Sequence, residues 1–174
     1  RAQVRQPAPC PLREESAAFV QELHHSTYSP DNEILVTVGG SEALDLAFRA
    51  TLTPGDEVLV PQPCFVAYAP LISLAGGVPV PVPTKQDNDF LPTLDDLQNK
   101  RTPRTRAIIV NSPNNPTGAV MPKNLVAAIA EFAIQNDLII VSDEIYLLLS
   151  YEEQATSFAE IQELRDNLIL ILGF

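Results

Sequence analysis

Short apolar runs alternate with amphipathic stretches along most of the chain. Residues 34–38, 57–60, 78–82, 106–110, 138–142 and 168–172 are compact and rich in Val, Ile and Leu, and each predicts a strand. Between them, 12–25, 42–52, the stretch from Phe65 to about 75, 94–100, 122–136 and 158–165 predict helices. In 122–136, Leu125, Ile129, Phe132 and Ala133 recur at helical spacing behind a first-turn proline. Strands that are apolar without a break are buried on both faces. Their alternation with helices therefore predicts an α/β fold: three layers, α-β-α, around a mostly parallel sheet.

The polar positions concentrate where the strands end. The run 106–110 passes into Asn111-Ser112-Pro113-Asn114-Asn115-Pro116-Thr117-Gly118, and the run 138–142 into Asp143-Glu144-Ile145-Tyr146. Carboxyl ends of strands are where open α/β sheets place their ligands. Amide side chains held by prolines suit that task. Gly39-Gly40-Ser41 stands between a predicted strand and a predicted helix. Its free N–H groups and the helix dipole make an anion site, although a plain serine cap reads the same way. Phe65 follows the strand 57–60, where an aromatic can stack on a flat ligand or simply fill core.

Composition narrows the partners. The chain has 174 residues, 45% hydrophobic, with a formal net charge of -11. That is enough for a cored domain, and its charge argues against nucleic acid or an anionic membrane surface as partner. No apolar run reaches membrane-span length. Cys10 and Cys64 are too few for a disulfide scaffold, so a reducing, cytoplasmic setting is expected. Cys64 reads as a small apolar filler before it reads as a reactive thiol. His24 and His25 have no ligands at metal spacing and are expected on the surface. Most of the sixteen prolines fall between the periodic segments.

Asn115-Pro116-Thr117-Gly118, then Ser142-Asp143-Glu144-Ile145-Tyr146, with Gly40-Ser41-Glu42-Ala43 upstream, resembles the large domain of class I/II aminotransferases. These are fold-type I enzymes that use pyridoxal 5′-phosphate. The resemblance runs from about residue 34 to 174, and the first thirty residues match the family poorly. It divides the chain into an N-terminal segment, 1–33, partly helical, and a partial cofactor-binding domain, 34–174. It implies that Asp143 binds the pyridine nitrogen and keeps it protonated, making the ring a better electron sink. Asn115 and Tyr146 would hydrogen-bond the ring's phenolic oxygen. Phe65 would stack on the ring, Gly40 and Ser41 would hold the phosphate, and Tyr68 would stand beside Asp143. Asp143 and Tyr146 are thus the implied catalytic groups. A cis peptide at Asn115–Pro116 is a family habit.

One family element is not found. The lysine that joins the cofactor lies just after a strand like 168–172, in a Ser-x-x-Lys or Ser-Lys context. The lysines here are Lys85, Lys100 and Lys123; none fits that context, and all are expected away from the pocket. The implied reading is a fragment of an aminotransferase, inactive alone. Its whole enzyme would be a homodimer acting on an amino acid and a 2-oxo acid. A β-lyase, an aminocyclopropane-carboxylate synthase or a non-catalytic paralogue shares the same motifs. A nucleotide-binding domain would need a glycine fingerprint that Gly39-Gly40-Ser41 does not supply.

Overall fold

The computed structural model describes residues 10–151 and 155–173. The proline-rich start, 1–9, lies outside the described residues. Contacts group the chain into two compact units, Arg1–Val38 and Gly39–Phe174.

In the first unit the one helix described, α1 (Pro11–His24), starts on a proline and closes on His25, which takes a left-handed φ of 55°. Two expectations fail here. His24 is buried, at 1% exposure; it lies in the row of Arg13, Ser16 and Val20, which helical spacing turns to α1's buried side. Residues 34–38 form no strand. Leu35, Val36 and Val38 are exposed, at 62%, 45% and 92%. β-branched side chains favour a strand where sheet neighbours cover them, and Leu35, Val36 and Val38 stand exposed outside the five-stranded sheet.

The second unit carries the sheet. Its helices are α2 (Gly40–Thr51), α3 (Tyr68–Leu74), α4 (Leu94–Lys100) and α5 (Lys123–Gln135). Its strands are β1 (Glu57–Gln62), β2 (Val78–Pro83), β3 (Thr105–Asn111), β4 (Ile139–Asp143) and β5 (Leu168–Ile171). They lie in the order β2-β1-β3-β4-β5, and every pairing is parallel. The expected helix at 158–165 is instead two 3₁₀ segments, Phe158–Glu160 and Gln162–Asn167.

The period-two alternation of the strands builds two cores. Leu59, Ile108, Val110 and Ile140 face one way and pack with Leu97 of α4 and Val126, Ile129 and Phe132 of α5. Val58, Val60, Ala107, Ile109 and Val141 face the other way and pack with Leu44 and Phe48 of α2 and Ile72 of α3. That is the expected three-layer arrangement. Burying one such side chain is worth about 1.5–3 kcal/mol, so both helix layers are driven onto the sheet by its own residues.

Candidate active site

Parallel pairing puts all five carboxyl ends along one edge. The chain runs from β1 to β2 on one side, then returns to lay β3 on β1's other side. The β1–β3 boundary is therefore the switch point where such sheets open a crevice. Phe65 and Tyr68 follow β1, Asn111 closes β3, and Asp143 closes β4.

Asp143 shares the parity of Val141, so it turns toward the α2–α3 layer. There the Tyr68 hydroxyl donates to its Oδ2 at 2.7 Å. Asp143 is 4% exposed. Burial pushes its carboxyl above the usual range, and the bonds from Tyr68 and the Ile145 N–H only partly offset this. The Tyr68 phenol is pushed up in turn, by burial first and by the Asp143 charge second. The ring of Phe65 meets that of Tyr68 edge-on, with centroids 5.6 Å apart. Phe65 thereby braces the tyrosine that orients Asp143.

Asn111 links the two polar corners and was not singled out from the sequence. It stands opposite Asp143 in the β3–β4 register. Its side-chain amide donates to the Asp143 carbonyl at 2.8 Å and accepts from the Asn115 N–H at 2.7 Å. The Asn115 corner is closed further by Asn114, which takes bonds from Thr117 and Gly118. Gly118 adopts a φ of +74°, a region that suits a residue without Cβ. Asn115–Pro116 is cis, as are Gln62–Pro63 and Ser112–Pro113.

Asn115 and Tyr146 line one groove of about 1050 Å³, with Pro113, Tyr151 and Lys123 on the same walls. The expectation that all three lysines lie away from the pocket fails for Lys123, because the corner 111–122 folds the first residue of α5 back to the groove. Lys85 and Lys100 are exposed elsewhere, before a 3₁₀ turn and at the end of α4. A second, enclosed space beside Tyr68 and Asn111 measures about 20 Å³, room for about one water.

Gly39, with a φ of +86°, caps α2, and the helix proper begins at Gly40. A Cβ on Gly40 would stand 3.7 Å from Ile145, two residues beyond Asp143. The α2 N-terminus and the end of β4 are thus neighbours. Ser41 is exposed in the first turn of that helix. Asp143 and the start of α2 therefore lie close together, whereas Asn115 and Tyr146 line a groove to which Asp143, Phe65, Gly40 and Ser41 do not contribute.

Comparison with known proteins gives the family. The family model "Aminotransferase class I and II" matches residues 9–173, so the likeness reaches well into the first thirty residues. "Putative aminotransferase YugH" of Bacillus subtilis is 48% identical over 163 residues, 94% of this chain and 42% of that protein. An aspartate aminotransferase of Pyrococcus abyssi is 41% identical over 94% of the chain and 42% of its own length. The solved aromatic aminotransferase of Pyrococcus horikoshii superposes with a TM-score of 0.91 at 40% identity, covering 94% of this chain and 44% of that one. The chain thus spans about two-fifths of the relatives it matches.

Proposed function

The chain belongs to the class I and II aminotransferases, and from that premise we propose that its strand ends build the pyridoxal 5′-phosphate half-site of an aminotransferase. The whole enzyme moves an amino group between an amino acid and a 2-oxo acid. The observation that carries this is Asp143: a buried carboxylate at a strand end, aimed by a phenol at 2.7 Å and tied through Asn111 to Asn115.

When bound, pyridoxal phosphate supplies an electron sink for charge that develops at the substrate's α-carbon. The residues of this chain hold and tune it. Asp143 keeps a proton on the ring nitrogen. Burial alone disfavours its ionised form, but a cation within about 4–6 Å restores it. Tyr68 and the Ile145 N–H hold that carboxylate in line. Asn115 and Tyr146, on one groove, take the ring's phenolic oxygen. Phe65 covers a ring face, and Gly40 and Ser41 take the phosphate at the start of α2, where orphan N–H groups favour anions.

Two broader features join the proposal. The whole enzyme works as a homodimer, consistent with large apolar side chains such as Val66 left 83% exposed. Its setting is cytoplasmic, consistent with two free cysteines.

The test is direct titration of the purified chain with pyridoxal phosphate, read by the circular dichroism induced in the bound chromophore. Saturable binding, lost in Asp143→Asn and weakened in Asn115→Ala, supports the half-site. A flat titration overturns it.

A further inference from the structure

Glu144, next in the chain to Asp143, is 2% exposed and has no part in the half-site just described. Alternation along β4 sends the two acids to opposite faces. Asp143 goes with Val141 to the α2–α3 side, while Glu144 goes with Ser142 to the other. There the Ser142 hydroxyl donates to Glu144 Oε1 at 2.8 Å, and the Phe158 N–H donates to the same oxygen at 3.0 Å. The Glu144 N–H donates to the Ile171 carbonyl at 2.9 Å, extending the β4–β5 ladder past its last pair. Phe158 opens a 3₁₀ turn capped by Ser157, whose N–H is held by Glu160 Oε1 at 3.2 Å. One carboxyl oxygen therefore pins the end of β4 to a segment fourteen residues further on.

We infer that Glu144 is a positioning residue: its carboxyl oxygen anchors the end of β4 to the Ser157–Phe158 turn and thereby sets where Asp143 and Tyr146 stand. The chain leaves β4 at Asp143 and turns at once, the Leu147 N–H closing on the Glu144 carbonyl at 3.0 Å. Without a fixed point at Glu144, that turn carries Tyr146 and loosens the Asp143 backbone, whose carbonyl is otherwise held by Asn111. A core hydrophobe at this position fills the volume but leaves the buried Ser142 hydroxyl and Phe158 N–H without their acceptor, which is costly for each group. The charged group acting on the anchor is Glu160, which is also acidic. Burial, with a smaller push from Glu160, drives the Glu144 carboxyl up to about 7, against the offset from the Ser157 and Ser142 hydroxyls and the Phe158 N–H.

This inference rests on the proposed half-site, and its test separates the two. The chain and its Glu144→Ala, Glu144→Gln and Ser142→Ala variants are titrated with pyridoxal phosphate. In the same proteins the Asp143 side-chain carboxyl is titrated with acid by carbon-13 NMR, without the cofactor. Glu144→Ala weakens binding about tenfold and lowers the Asp143 midpoint by about one unit, the same tenfold, because the loosened strand end admits water. Glu144→Gln restores both, since its amide oxygen accepts the same two hydrogen bonds. Ser142→Ala, which removes one donor only, shows the same changes at about threefold and serves if Glu144→Ala does not fold. An unchanged Asp143 midpoint in Glu144→Ala and Ser142→Ala overturns the inference. So does a Glu144→Gln variant as damaged as Glu144→Ala. A wild-type chain that binds no pyridoxal phosphate overturns the half-site instead, and the Asp143 midpoint still decides the role of Glu144.

Discussion

Glu57, where β1 begins, and Asp143, where β4 ends, are both 4% exposed. Glu57 is saturated with donors. The Thr102 hydroxyl reaches it at 2.5 Å, Arg104 meets Oε1 through two nitrogens at 2.9 and 3.1 Å, and Thr105 stands at 3.4 Å. The Thr102 bond, then Arg104, hold its carboxyl below the usual range although burial pushes the other way. Asp143 receives one strong bond, from a phenol that carries no charge, and its carboxyl is held above the usual range. Burial outweighs every other influence on Asp143, whereas at Glu57 it comes second to the Thr102 bond, so two carboxyls of like exposure shift in opposite directions. The amino-terminal end of the sheet spends its donors on stability. The carboxyl-terminal end leaves an acid under-compensated, as the proposed half-site for a cationic ring requires.

The sharpest way to break this contrast is Asp143→Asn. Removing one partner of a buried charge pair costs about 3–5 kcal/mol, so pyridoxal phosphate affinity should fall about 1000-fold. Thermal stability should hold or rise, since the amide still accepts from Tyr68 and costs less to bury. A variant that loses stability but keeps affinity would reverse the assignment of the two ends.

pH separates the ends next. Glu144 has its folded value raised to about 7 from 4.5. Its contribution to stability is complete below about pH 4.5 and is lost as pH rises toward 7, on the order of 3 kcal/mol in all. Asp143, also raised, acts in the same direction. Glu57, lowered, contributes fully above its unfolded value and loses that contribution as pH falls through its folded one. Urea melts across pH 3–8 should therefore flatten on the neutral side in Glu144→Gln and on the acid side in Glu57→Gln.

Glu57→Ala strands Thr102 and Arg104 and should lower the unfolding free energy by about 2 kcal/mol, leaving cofactor affinity within twofold. Chemical denaturation and the same titration measure both. The smallest effect belongs to Tyr68→Phe. Loss of one hydrogen bond, about 1 kcal/mol, should weaken binding about fivefold and raise the Asp143 midpoint further, which NMR titration reads.

How far these features could be read beforehand follows from how local each one is. The five strands that pair announce themselves because their apolar runs match the face they bury. Residues 34–38 have the same composition but lie outside the sheet, and composition alone does not tell the two cases apart. The 158–165 stretch has helical spacing, yet the Ser157–Glu160 capping box and the bond from the Phe158 N–H to Glu144 hold it as 3₁₀ turns. Asp143, Asn115 and Tyr146 stand out through their motifs. Asn111 and Glu144 do not, because one owes its role to strand register and the other to which face its parity selects. His24 and Lys123 depend on which way a helix face or a folded corner turns. None of these is a property of neighbouring letters.

The β3–β4 register, with Asn111 opposite Asp143, also limits how this gene can change in length. Deleting or inserting a single codon within β4 would exchange its faces, sending the site acid into the α5 core and the anchoring acid toward Tyr68. Codons can be gained or lost at Gln86–Asn88, away from the strand ladder and the hydrogen bonds of the acid pair. Length variation among descendants of this sequence should therefore gather there and be absent between Leu138 and Tyr146.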